Sequence, residues 1–155
     1  MLTIKAHAKI NLTLEVLGLR TDGYHDIASI IQTISLHDML TVEPSNLLSL
    51  TCNWKDLETD ENLAYRAATL LRNHTGTADG ARISIEKHIP MAAGLGGGSS
   101  DAAATLVGLN RLWGLKLSAE ELTSMATELG SDVPFFIHGG TAIVLGRGEQ
   151  VRTLP

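Results

Sequence analysis

Residues 90–106 read Pro-Met-Ala-Ala-Gly-Leu-Gly-Gly-Gly-Ser-Ser-Asp-Ala-Ala-Ala-Thr-Leu, a glycine-rich turn that passes two adjacent hydroxyls and enters a helix-forming stretch. Glycine lets a chain take left-handed conformations and bring its backbone close to a ligand. The first turn of the following helix carries N–H groups without intrahelical partners, and its dipole amounts to roughly half a positive charge. Loop and helix together form a cradle suited to an anion, phosphate above all. Upstream, residues 81–89 alternate, with Ile83, Ile85 and the stem of Lys87 on one side. The loop is therefore fed by a strand and empties into a helix, an order that predicts a position at a sheet edge, and 44% hydrophobic with 19% charged residues fits a mixed α/β domain. The plainer reading, a flexible connector ahead of a helix, leaves the hydroxyl pair unexplained.

The rest of the chain fits one such domain. Residues 2–16 follow a period of two, with Ile10, Leu12, Leu14 and Val16 expected on a buried side and Lys9, Asn11, Thr13 and Glu15 on a polar one. A turn at residues 18–23 separates this strand from another at 27–36, where isoleucines and a threonine favour strand over helix. Short strands are predicted near 40–43 and 47–53, with Pro44 as the break between them. Asp60 is positioned to cap a helix that places Leu63, Ala67, Leu70 and Leu71 on one face, with Gly76 just past its end. A helix from about Ser99 to Trp113 stops at Gly114, and Ser118 with Glu121 forms a capping box for the next. Gly130 ends that helix, and residues 141–145 and 149–154 read as a β-hairpin.

Two common nucleotide motifs share the strand, loop and helix layout, and neither matches. No Gly-Lys-Ser/Thr closes the loop, and two helices follow in succession where a dinucleotide fold requires an early βαβ unit. Positive charge must come from elsewhere. Lys9 and Asn11, two residues apart, share one strand face and are the candidates to supply it. Asp132 stands between Gly130 and Pro134 at an apparent helix start, where a capping aspartate and a catalytic one look alike. Tyr24 and His25 follow a turn and are equipped to stack on and hydrogen-bond a flat heterocycle, although a half-buried loop pair has the same composition. His7, His37, His74, His88 and His138 show no metal-ligand spacing, and the single cysteine, Cys52, excludes both an internal disulfide and a cysteine-rich metal site. A net charge of -5 argues against a nucleic-acid partner. No apolar run reaches membrane-spanning length, early Lys5 and His7 disfavour a signal peptide, and a cytoplasmic location is expected.

The segment from Pro90 to Ala104 resembles the signature of the GHMP small-molecule kinases. Within that superfamily, Ala8-Lys-Ile-Asn-Leu12, Arg20-Thr-Asp-Gly-Tyr-His25 and Gly130-Ser-Asp-Val-Pro-Phe-Phe136 are together similar to the branch acting on 4-diphosphocytidyl-2-C-methyl-D-erythritol. The resemblance implies a domain like the second domain of ribosomal protein S5, a mixed sheet with helices on one side. It implies an enzyme using ATP and Mg²⁺ to phosphorylate the C2 hydroxyl of this small cytidine-diphosphate substrate in non-mevalonate isoprenoid biosynthesis. Asp132 then matches the general base, Lys9 the lysine that orients it, and Asn11 a substrate-positioning residue. Tyr24 and His25 match the cytosine-recognising pair. Pro90, Met91, Ala92, Ala93, Gly94, Leu95, Gly96, Gly97, Gly98, Ser99 and Ser100 match the ATP-phosphate segment, while Asn62, Leu63 and Lys87 match the adenine pocket. Ala92 and Ala93 depart from the family, where glycines are frequent, a mild change only if neither position is left-handed. Relatives also carry a C-terminal domain, so this chain is expected to be the N-terminal domain alone. Another GHMP kinase with a mevalonate-type or sugar substrate, or an S5-like RNA-binding module, are the remaining readings.

Overall fold

A computed structural model describes residues 1–155. The chain forms one mixed sheet whose spine is β2 (His25–Ser45), a 21-residue strand. β1 (Leu2–Leu19) pairs antiparallel along almost the whole of it. The opposite edge of β2 is shared, its second half pairing with β4 (Gly80–Glu86) and its first half with β5 (Thr141–Gly146). β3 (Ser49–Cys52) lies parallel beyond β4, and β6 (Gln150–Leu154) closes a hairpin with β5. β4 is thus an interior strand, so the glycine loop leaves from the end of a covered strand and not from a sheet edge as its sequence neighbours suggested.

Four helices supply the second layer: α1 (Leu63–Thr75), α2 (Gly97–Leu112), α3 (Ala119–Leu129) and α4 (Val133–His138). A core of Leu40, Val42, Ile83 and Ile85 from the sheet meets Ala67, Leu71, Leu106, Leu109, Met125 and Ala126 from the helices. The many alanines let α1 and α2 approach each other closely. Gly108 is required by this packing, because a Cβ there would stand 2.7 Å from the Ile4 side chain. A smaller core, Ile31, Phe135, Ala142 and Val144, seats α4 on the β2 and β5 end of the sheet. α4 is short, and this anchorage sets the residue before it, Asp132, near Lys9 of β1.

Three local expectations change. Asn62 and not Asp60 caps α1, its side chain accepting from the Ala64 amide at 2.9 Å, because the helix begins at Leu63. Pro44 does not divide two strands; β2 continues through it, pairing it with Ala81 near the end of the ladder. Finally, Ile10, Leu12, Leu14 and Val16 are exposed, and so is every residue of β1 from 10 to 19. Alternation reports a strand with two unlike faces, but nothing in the fold covers this one. The capping box at Ser118 and Glu121 forms as read, with bonds of 3.2 and 2.8 Å.

Candidate active site

The glycine loop is built from alternating backbone signs. Ala92, Gly94 and Gly96 all have positive φ, of 55, 72 and 71°. Alternation of left- and right-handed residues turns successive N–H groups to one side and makes an anion-binding concavity. Ala92 is therefore left-handed, so its departure from glycine costs about 1 kcal/mol of backbone strain. α2 starts directly after Gly96, at Gly97, two residues earlier than the hydroxyls suggested. The amide of Ser100 is the first to close a helical bond, 2.8 Å to the Gly96 carbonyl, which leaves those of Gly97, Gly98 and Ser99 ahead of the ladder. A cleft of about 380 Å³ opens over these amides.

Asn62, Leu63, Lys87 and residues 90–99 all line this cleft, as expected, together with Leu57, Ile89 and Asp101, which sequence reasoning left unassigned. Ser100 is the exception among the predicted residues. It is buried on the side of α2 that faces Ile4, Ala6 and Phe136, because successive helical residues point about 100° apart and of the two serines only Ser99 faces the cleft. Asn62 turns its amide inward, capping α1 and donating to the Leu57 carbonyl at 3.0 Å. That bond joins the 3₁₀ turn Lys55–Leu57 to the cleft wall.

Lys87 is less a wall than a foundation. Its ammonium is almost fully buried, pairing with Asp38 of β2 and, at 2.8 Å, with Asp101 of α2. Burial pushes this ammonium down, but the Asp101 and Asp38 carboxylates outweigh it and hold it above its ordinary value. Burial also drives Asp101 up to about 7, with Lys87 opposing and Asp38 reinforcing. One Asp101 oxygen has no hydrogen-bond partner.

The second predicted cluster sits at the other end of the loop. The Lys9 amide donates to the Leu95 carbonyl at 2.9 Å, tying β1 to the glycine segment. The Lys9 ammonium, also buried, donates to Asn11 Oδ1 at 2.7 Å and lies 3.8 Å from Asp132 Oδ2. Asn11 in turn donates to Ser29 Oγ at 2.8 Å, which fixes which way its amide points. Asp132 occupies the position before α4 but makes no capping bond, so its carboxylate stays free and 42% of the side chain remains exposed. Two distant segments, β1 and the residue before α4, thus bring an ammonium, an amide and a carboxylate together, with the Lys9 stem against Gly96.

Gly96 holds that junction together. A Cβ there would stand 2.6 Å from the Phe136 ring and 3.2 Å from Lys9 Cγ, at a φ that side chains avoid. Gly96→Ala is expected to cost about 2 kcal/mol or more and to weaken anion binding at least tenfold. Urea unfolding and calorimetry with an unhydrolysable ATP analogue check the two effects separately.

Tyr24 and His25 do not join this cluster. They stand exposed at the tip of the β1 and β2 hairpin, where the Arg147 guanidinium covers the Tyr24 ring at 4.7 Å. His25 pairs with Leu19 while Asn11 pairs with Ile31, a separation along β2 of six residues or roughly 20 Å. No group of three His, Cys, Asp or Glu side chains gathers to hold a metal, and no helix is long and apolar enough to cross a membrane.

Comparison with known proteins gives the chain a family. The family described as GHMP kinases N terminal domain matches residues 62–140. A 4-diphosphocytidyl-2-C-methyl-D-erythritol kinase of Symbiobacterium thermophilum is 56% identical over 155 residues, covering 98% of this chain and 55% of its own length. A Synechococcus protein of the same name is 53% identical, covering all of this chain and 52% of its own length. A crystal structure of 4-(cytidine 5'-diphospho)-2C-methyl-D-erythritol kinase superposes with a TM-score of 0.85 at 43% identity, over 99% of this chain and 55% of that one. A mevalonate kinase structure, TM-score 0.76 at 15% identity, shares the fold. The chain spans about half the length of the curated relatives it matches.

Proposed function

The chain belongs to the GHMP kinases, and on that premise we propose that it is the nucleotide-binding part of an enzyme that moves the γ-phosphoryl group of ATP to the C2 hydroxyl of 4-diphosphocytidyl-2-C-methyl-D-erythritol. The observation that carries this reading is the position of Lys9. It touches the glycine loop through Leu95 and Gly96 and faces Asp132 at 3.8 Å, so a phosphate held on the loop lies near a free carboxylate.

Phosphoryl transfer asks a protein mainly for alignment and charge stabilisation. The amides of Gly97, Gly98 and Ser99 cradle the phosphates, and Leu57, Leu63 and Ile89 give the base an apolar wall. The substrate hydroxyl oxygen attacks the γ-phosphorus as the bond to the bridging oxygen of ADP breaks. Its proton passes to Asp132. Lys9, held by Asn11, keeps that carboxylate turned toward the hydroxyl and lowers the cost of the charge that develops. Magnesium neutralises phosphate charge when bound. The Ser99 hydroxyl, in the lining of the cleft, is the protein oxygen that would hold the ion beside the phosphates.

Tyr24 and His25 would recognise cytosine. Their distance from Asn11 suits an elongated ligand whose diphosphate spans the interval, with the base stacked on the Tyr24 ring. The remaining length of the relatives is proposed to supply a second domain that completes the acceptor pocket. The apolar row Leu12, Leu14 and Val16, left bare on β1, offers a surface for it. A buried, free Cys52 suits the cytoplasm, where the pathway is expected to run.

Calorimetry with Mg²⁺ and an unhydrolysable ATP analogue tests the nucleotide half of this reading, and competition of CDP with the cytidylyl substrate tests the rest. Tyr24→Ala is expected to weaken the cytidylyl substrate about tenfold or more and to leave nucleotide affinity unchanged. CDP that fails to compete would remove the cytidine assignment.

A further inference from the structure

The structure assigns to Asp38, a β2 residue outside every motif and outside the cleft lining, the task of fixing both ends of the phosphate loop. This inference rests on reading that loop as the nucleotide site. The ladder between β2 and β4 ends where Met39 pairs with Glu86. Asp38 is the next β2 residue toward the loop, and there its carboxylate takes over from the backbone. Oδ1 accepts from the amides of His88, at 2.5 Å, and Ile89, at 2.8 Å, the last two residues before Pro90. Oδ2 takes the Lys87 ammonium, whose other contact is Asp101 in α2. One fully buried carboxylate therefore holds the chain as it enters the loop and, through Lys87, the helix in which the loop ends.

The arrangement is specific to a positioning role. An isolated buried carboxylate is costly, and a buried ion pair adds little net stability over an apolar substitute. Asp38 stands at a place where ordinary strand pairing has stopped and where backbone donors would otherwise be orphaned. The remaining polar backbone groups of Lys87 are matched as carefully: its amide donates to Asn53 Oδ1 at 2.8 Å, and Asn53 Nδ2 donates to its carbonyl at 3.2 Å. Lys87 Nζ also lies where a Cβ on Gly97 would fall 3.1 Å away, directly beneath the first amide of α2. Displacing Lys87 moves the floor of the cradle.

The test compares Asp38→Ala and Asp38→Asn with Val42→Ala, a buried β2 substitution remote from the loop. Hydrogen exchange follows amides 88–96, and calorimetry follows the unhydrolysable ATP analogue with Mg²⁺. Asp38→Ala is expected to speed exchange at His88, Ile89 and through the loop at least tenfold, and to weaken analogue binding by about 10- to 100-fold. Asp38→Asn keeps an acceptor for the two amides and falls between the wild type and the alanine variant. Val42→Ala lowers the unfolding midpoint while exchange and affinity stay within about threefold. Loop exchange and affinity unchanged in both Asp38 variants, or shifted equally by Val42→Ala, would overturn the assignment. Should Asp38→Ala not fold, Asp38→Asn carries the comparison. Should the unsubstituted chain bind no analogue, the nucleotide reading fails, and exchange at residues 88–96 still decides the role of Asp38.

Discussion

Asp132→Asn is expected to slow phosphoryl transfer by about 10²- to 10⁴-fold while affinity for the ATP analogue stays within about threefold. The expectation follows from how little else the side chain does. It makes no capping bond, it is 42% exposed, and its one charged neighbour, Lys9, has a second partner in Asn11. Asparagine preserves the shape and leaves the Lys9 ammonium held, so stability should change by no more than about 0.5 kcal/mol. What disappears is the capacity to take a proton from a hydroxyl. The loop amides at Gly97, Gly98 and Ser99 are untouched, which is why binding survives. Single-turnover transfer in a polypeptide that carries the complete acceptor pocket measures the first quantity, and calorimetry the second. Turnover within threefold of the unsubstituted protein would remove Asp132 as the base. Lys9→Met should lose rate by a comparable factor through loss of orientation. A parallel fall in nucleotide affinity would instead place Lys9 on the phosphates.

How much of this was legible in the sequence depended on whether a signal was local. The strand, glycine loop and helix read directly, because turn chemistry and periodicity act over a few residues. The same holds for the capping box at Ser118 and the hairpin around Gly146 and Gly148. Burial on β1 was misjudged for the opposite reason: alternation at Ile10, Leu12, Leu14 and Val16 specifies a two-faced strand but not whether a layer covers it. Ser100 was assigned to the cleft with Ser99 because adjacency in a motif ignores the 100° step of a helix. Asp38 and the partnership of Lys87 were invisible, since the three charges lie on β2, at the end of β4 and in α2, and meet only in the folded chain. Asp101 did leave a trace, as the sole charge ahead of an apolar run through Leu109. Lys9 and Asn11 stood out by their two-residue spacing and Asp132 by its place at a helix start, their roles came from resemblance, and their meeting around the Lys9 ammonium gives the geometry that makes the resemblance chemically sensible.

Lys87→Met is expected to lower unfolding free energy at pH 8 by about 3–5 kcal/mol, the cost of removing one partner from a buried ion pair. It should cost much less near pH 5, and the sign follows from the groups left behind. With Lys87 present, burial already raises Asp101 to about 7, above its unfolded value of 3.8. A carboxyl raised on folding favours the native state most below its unfolded pKa, and that advantage is lost as pH rises through the folded one. For Asp101 this window runs from about 4 to about 7. Lys87 offsets it, because an ammonium raised above 10.5 keeps its full stabilising contribution at every pH below that. Methionine retains the stem but removes the charge, so Asp101 faces the Asp38 carboxylate without a cation and takes up a proton more readily still. The loss should therefore grow from pH 5 to pH 8, and Lys87→Met combined with Asp101→Asn should recover part of it by removing one of the two charges. Urea unfolding at both pH values measures the slope. An equal loss at pH 5 and pH 8 would mean that Lys87 contributes packing alone, and that the carboxylates of Asp38 and Asp101 are balanced by something other than its charge.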